Sequence, residues 1–276
     1  MGIIYTISRE IGSYGDAIAE ELARRLGVPL IDRSKMVAEA YRYGLTAERQ
    51  TPPEIAERKP TLLQRLDEER HRFSVLLRAM LYDLASTQDT TVILGLSAQV
   101  LFKSVRHALR TLTVAPFMVR VERVMREERL DRQAAITVVR QSDSDRAGYH
   151  QYLHHVEWLR PELYDLVINT EYMRPSTVVE LLLRMGELPD LQPTPESRQV
   201  LDDLALAARI EAILVSSPRV AIDALEVRAE RGQVTVSGLV YTEEERETAE
   251  QIVRETPGVQ SFVSDIRLKP LPAPFP

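Results

Sequence analysis

Cysteine is absent from the 276-residue chain, which excludes disulfides, a thiolate nucleophile, Cys-ligated zinc and iron–sulfur clusters, and fits a reducing compartment. No apolar run approaches the roughly 18 to 20 residues that cross a bilayer. Gly2-Ile3-Ile4-Tyr5-Thr6-Ile7 opens the chain without the basic region of an export signal. The expectation is a cytoplasmic protein with no transmembrane segment. A basic excess is also lacking: 35 Lys plus Arg face 41 Asp plus Glu, a net charge of −6, so nucleic acid is not expected as a partner. What is present is 44% hydrophobic residues, enough for at least one full core and, at this length, about two domains.

Prolines punctuate the chain at Thr51-Pro52-Pro53 and, more densely, from Glu187 through Pro189, Pro193 and Pro195. The second stretch is expected to continue neither helix nor sheet and to divide residues 1–186 from a smaller module, with 187–198 as linker. Before it, β-rich runs at Ile3 to Ser8, Pro29 to Ile31, Thr91 to Leu94, Thr111 to Ala115 and Asp165 to Ile168 alternate with helical stretches. Ala17 to Leu26 reads as a helix, and so does Thr61 to Ser86, whose apolar residues recur at three- and four-residue steps. Such a βα rhythm predicts an α/β fold, a parallel sheet with helices on both faces.

Beyond the linker the rhythm changes. A helix (Val200 to Val215), a strand (Ala224 to Ala229), a turn at Glu230-Arg231-Gly232, a strand (Gln233 to Val240), a helix (Glu243 to Glu255) and a strand (Val259 to Leu268) predict a small α+β module over 199–269. It carries 13 acidic and 8 basic residues, which disfavours anionic lipid as well as nucleic acid. The proline-rich tail, 270–276, is expected to be extended.

Chemistry is expected where the first strand runs into Ser8-Arg9-Glu10-Ile11-Gly12-Ser13-Tyr14-Gly15-Asp16 and then a helix. Glycines there permit positive φ, and amides at a helix start can converge on an anion. The Lys-Ser/Thr pair of the full phosphate-loop signature is missing, so a tight turn without ligand is an equal reading of the residues alone.

Ile7-Ser8-Arg9-Glu10-Ile11-Gly12-Ser13, Val28-Pro29-Leu30-Ile31-Asp32-Arg33, Arg120-Val121-Glu122-Arg123 and Arg140-Gln141-Ser142-Asp143-Ser144-Asp145-Arg146 resemble, in order, the cytidylate-kinase-like P-loop family over roughly residues 1–186. The resemblance implies a nucleoside-monophosphate-kinase-like five-stranded parallel sheet with a mobile lid. It implies phosphoryl transfer from ATP, with Mg2+, to CMP or a related monophosphate. It also implies nucleotide contacts from Arg9, Gly12, Ser13, Tyr14, Gly15, Asp16, Asp32 and Arg33, and phosphate or lid roles for Arg123, Arg140, Asp143 and Arg146.

Two departures bear on activity. Tyr14 stands in place of a loop glycine and Asp16 in place of an arginine, and Gly95-Leu96-Ser97 follows the third strand where relatives have Gly-Arg. A carboxylate about 4 Å from a phosphate at an effective dielectric of about 20 costs about 4 kcal/mol. The alternative is therefore an impaired relative that acts as a nucleotide sensor or scaffold.

Other features have plainer readings. Arg120, Arg123, Arg126, Arg129 and Arg132 recur every third residue, with Glu122 and Glu128 spaced to pair with Arg126 and Arg132, as on a solvated helix. Only Arg123 is expected in the cleft. His150, His154 and His155 lack an acidic third ligand, so surface histidines are expected and no metal site. Tyr14 is expected to cover the adjacent helix or stack on a base.

In the C-terminal module, Gly232-Gln233-Val234-Thr235-Val236-Ser237-Gly238 and Thr256-Pro257-Gly258-Val259 resemble a BON domain. That likeness implies a non-enzymatic unit for binding a protein partner or for homo-oligomerisation.

Overall fold

The computed structural model describes residues 2–42 and 68–270, which form two compact units. The proline pair at 52–53, the helical stretch 61–67 and the tail 271–276 lie outside the described residues.

In the first unit, β1 (Ile4–Arg9) leads into α1 (Gly15–Leu26), β2 (Leu30–Ile31) and α2 (Arg33–Arg42). Helix α3 (Glu68–Thr87) follows and belongs to the second unit. The first unit resumes with β3 (Thr91–Leu94), α4 (Ala98–Leu101), β4 (Ala108–Val114), α5 (Phe117–Glu128), α6 (Arg132–His154), β5 (Leu166–Asn169) and α7 (Pro175–Gly186). All strands are parallel, in the order β2-β3-β1-β4-β5. Central β1 pairs with β3 through Ile4↔Thr91 and with β4 through Ile4↔Ala108, so chain direction diverges beside its C-terminal end. Open α/β sheets place ligands at such a switch point.

Alternation along β1 sorts the layers. Ile3, Tyr5 and Ile7 share a core with Ile18, Ala19 and Leu22 of α1 and Val178, Val179 and Leu182 of α7. On the other face, Ser8 meets Gln99 of α4. Gly186 lets α7 close on Tyr5, because a Cβ there would overlap the tyrosine hydroxyl. A second cluster joins α5 to α6 through Val121, Val124, Ala135 and Val139.

The proline segment forms a short turn of its own after α7 ends at Gly186. Pro189–Leu191 forms a 3₁₀ turn, and α8 (Pro195–Ser216) begins inside the segment. Proline is compatible with a first helical turn, whose N–H groups lack intrahelical partners in any case. Gln192 Nε2 donates to the Gly186 carbonyl (2.7 Å), and Ser197 Oγ lies 2.9 Å from His107 Nδ1.

The second unit consists of most of α8, then β6 (Ile222–Glu230), β7 (Gln233–Val240), α9 (Glu243–Glu255), β8 (Ser261–Leu268) and α3. Its mixed sheet runs β6-β7-β8, antiparallel then parallel. Leu206, Ile210 and Leu214 of α8 pack on Val234, Val236 and Val240 of β7 and on Ala249 and Val253 of α9. The β6–β7 hairpin turns at Arg231 (φ 49°) and Gly232 (φ 76°), the positive-φ pair that suits strand twist. Asp203 receives both turn amides, at 2.8 and 3.2 Å. A reciprocal capping box between Thr242 and Glu245 starts α9.

Helix α3 is tied to α8 by ion pairs from Arg78 to Glu211 and from Arg209 to Asp83, and by Arg72 donating to the Ser216 carbonyl. The sequence rhythm places this helix in the kinase-like half. Its packing places it with the C-terminal unit.

Candidate functional site

Strand β1 delivers Ser8, Arg9 and Glu10 to the C-terminal edge of the sheet, and a turn carries the chain into α1. Gly12 (φ 74°) and Tyr14 (φ 63°) are both left-handed, and Tyr14 is the N-cap of α1. A Cβ at Gly12 would meet the Arg120 carbonyl at 2.8 Å, and one at Gly15 would meet the Arg9 Cβ at 2.2 Å. The turn is thus wrapped closely on its supports, with the first amides of α1 at its mouth.

Ser13 is fully buried, and its hydroxyl turns inward, 2.8 Å from the Glu10 carbonyl and 2.9 Å from both the carbonyl and the hydroxyl of Thr113. Asp16 is exposed and accepts from Arg9 Nη2 (3.0 Å) and Nε (3.3 Å). Desolvation opposes ionisation of Asp16, but the charge and hydrogen bonds of Arg9, with Arg146 further off, hold its carboxyl below the ordinary 3.8. The acidic group expected to repel phosphate is therefore already half of an ion pair.

Arg123 is 4% exposed. Nη1 donates to the Gly12 carbonyl (3.0 Å) and Thr170 Oγ1 (3.1 Å), and Nη2 donates to the carbonyls of Thr170 (2.7 Å) and Glu171 (3.3 Å). Its guanidinium lies 3.8 Å from the Tyr14 ring centroid, a cation–π contact. The side chain braces the turn.

Arg120 is also buried, where the sequence spacing suggested a solvated position. It donates two 2.9 Å bonds to Asp143, a third to the Ala115 carbonyl, and lies 3.4 Å from Glu10. Burial raises the Glu10 carboxyl above its ordinary 4.5 despite Arg120 and the Ala115 amide. Arg126 donates to the Glu122 backbone carbonyl rather than to its carboxylate.

Among the lid residues, Arg140 is exposed with its guanidinium 5.7 Å from the Phe117 ring, and Arg146 donates to Ser142 Oγ at 2.8 Å. Asp32 caps α2, accepting from the Lys35 amide at 2.8 Å, and Arg33 is the first residue of that helix.

A narrow crevice beside the turn is lined by Ser8, Arg9, Ser97, Gln99, Arg146, His150 and Trp158. Its free volume, about 20 Å³, is enough for a water molecule. Gly95, Leu96 and Ser97 form one wall in three successive left-handed conformations (φ 71°, 59° and 55°). His150 is buried, contrary to the surface position expected: Nε2 lies 3.0 Å from Gln99 Nε2, Nδ1 lies 2.9 Å from the Arg146 carbonyl, and the ring stacks on Trp158. Gln99 in turn accepts from Ser8 Oγ at 3.0 Å. No cluster of three or more metal-ligating side chains occurs among the described residues.

The structure thus brings Arg9, Gly12 to Asp16, Arg123 and Arg146 to one edge of the sheet. Arg120, whose spacing suggests a solvated face, also supports this edge, together with Glu10, Thr113 and Thr170, to which residue spacing assigns no role. The buried Glu10 sat in the quoted motif Ser8-Arg9-Glu10 without an assigned role.

Comparison with known proteins bears on the fold and the family. The crystal structure of an uncharacterized protein from Eubacterium ventriosum is 19% identical, covers 67% of this chain and 98% of its own, and superposes with a TM-score of 0.53. A shikimate kinase from Bacteroides thetaiotaomicron is 16% identical over 68% of this chain and all of its own, with a TM-score of 0.41. A gluconokinase from Sinorhizobium meliloti is 13% identical over 67% and 94%, with a TM-score of 0.39. A search of curated proteins finds no match. No helix among the described residues is long and apolar enough to cross a membrane. The BON domain model matches residues 202–270, and the model of the cytidylate kinase-like family matches residues 4–172, more than half of the sequence, so the chain belongs to that family and carries a BON domain at its C-terminal end.

Proposed function

We propose that the β1–α1 turn binds the phosphates of a nucleoside triphosphate, and that the chain transfers the terminal phosphoryl group of ATP to CMP or a related monophosphate. The observation that carries this reading is the left-handed turn at Gly12 and Tyr14. It sets the start of α1 beside Arg9, which shares a crevice with Arg146 near the sheet's switch point. In the transfer, the bond from the γ-phosphorus to the β–γ bridging oxygen breaks and one to a phosphate oxygen of the acceptor forms, leaving ADP and a nucleoside diphosphate. Little covalent work falls to the protein. Arg9 and Arg146 neutralise spreading charge while Arg123 keeps the turn in shape.

The turn does not make a resident magnesium site. The Ser13 hydroxyl is engaged with the sheet and the Asp16 carboxylate with Arg9. ATP fits better, because helix-start amides and guanidinium groups are phosphate ligands. A nucleotide role belongs in the cytoplasm, where the sequence reading puts the chain.

One observation favours a second reading, an impaired relative that senses nucleotide while the BON domain binds a partner or a second copy. Arg120 and Arg123 are spent on internal bonds, and the crevice is far smaller than a nucleotide. A coupled assay over the common nucleoside monophosphates, with ATP calorimetry on the same protein, separates the two. Turnover supports transfer; ATP binding without turnover supports the sensor; absence of both overturns each.

A further inference from the structure

The second unit contains a larger cavity, of about 230 Å³, that the nucleotide reading does not use. At ~30 Å³ per water it has the volume of about eight waters, room for an aliphatic chain with a polar head. Ala205 and Leu206 of α8 and Pro257 in the α9–β8 connection give it an apolar flank. Gly258 (φ 102°) keeps it open, since a Cβ there would come within 3.3 Å of Leu206.

Its polar groups divide into engaged and unengaged. Asp203 holds the hairpin amides and Gln199 Nε2, Arg209 is paired with Asp83, and Ser86 Oγ donates to the Asp83 carbonyl. Among the described residues, no hydrogen bond or ion pair engages the Asp202 carboxylate or the Gln260 side-chain amide. Asp202 is exposed at the mouth of the cavity, where partial desolvation and the neighbouring Asp203 raise its carboxyl above its ordinary value, against the pull of Arg198.

We propose that this cavity binds the head of an alkyl ammonium or alkyl guanidinium group at Asp202, with its aliphatic stem along Leu206 and Pro257. The group is either a free small amine or a basic side chain of a protein. An acidic module without a basic excess suits such a ligand, whereas an anion would face an unpaired carboxylate at the rim.

The test uses the full chain without nucleotide, titrated by calorimetry with agmatine and, separately, with a peptide of alternating arginine and glycine. Saturable binding of agmatine identifies a free amine as the source, and binding of the peptide alone identifies a protein side chain. In either case Asp202→Asn should weaken binding about tenfold, the effect of losing one charge-assisted hydrogen bond, with the melting profile unchanged. Asp223→Asn, a second acidic change outside the cavity, should leave binding intact. No saturable binding of either probe at millimolar concentration, or equal loss in both variants, overturns the proposal.

Discussion

Arg120 and Asp143 face each other through two parallel hydrogen bonds of 2.9 Å, and this fork joins α5 to α6 beneath the candidate phosphate turn. Glu10 stands on the other side of the same guanidinium. Arg120→Ala would leave two carboxylates around a space without their cation, a loss of about 3–5 kcal/mol. Urea unfolding should show it as a lower midpoint with an unchanged slope.

Arg123→Ala should weaken ATP binding and stability together. The carbonyls of Gly12, Thr170 and Glu171 lose their donor, a cost of about 3 kcal/mol. Lysine should not rescue the defect, because one ammonium cannot reproduce a planar fork stacked on Tyr14. Calorimetry with ATP on both variants checks this.

Asp16→Asn should tighten ATP binding by about fivefold. It frees Arg9 from an exposed pair of small intrinsic worth and removes a like charge from the phosphate path. An affinity equal to that of the parent protein would mean that phosphate does not approach this end of the turn.

Two carboxyls set opposite pH trends. Glu10 has a folded-state pKa raised by burial, so the native state holds its proton longer than the unfolded chain does. Its ionisation therefore lowers stability as pH rises from 4.5 through the raised value. Asp16, lowered by Arg9, contributes above 3.8 and loses that contribution as pH falls through its depressed value. The stability of the parent relative to Glu10→Gln should decline as pH rises above 4.5, measured by urea titration at stepped pH.

The elements most visible in the sequence are those whose burial pattern is simple. Thr91 to Leu94 reads as a buried strand and is one, buried at every position between β2 and β1. Strand β4 begins three residues earlier than its apolar run suggests, because Arg110 is accommodated beside Asp165 at 2.6 Å, a partner distant in sequence. The arginine ladder misleads for a geometric reason. Three residues turn a helix by about 300°, so each step drifts by about 60°. Arg120 and Arg123 consequently face inward while Arg126 faces out, and spacing alone cannot tell which end of the ladder is buried. His150 reads as a surface residue in the sequence because the partners that bury it, Gln99 and Trp158, come from other parts of the chain. Tyr14 and Asp16 stood out as departures from the family motif. Their partners Arg123 and Arg9 were both named from the sequence, but the contacts between them were not.

The placement of α3 imposes an order on biosynthesis. Arg78 emerges from the ribosome 133 residues before Glu211, and Asp83 emerges 126 residues before Arg209. At about 5–20 residues per second, the helix spends roughly 6 to 27 seconds before its ionic partners on α8 have been made. Premature termination anywhere in that interval would release a product in which Arg78 and Asp83 lack the partners Glu211 and Arg209.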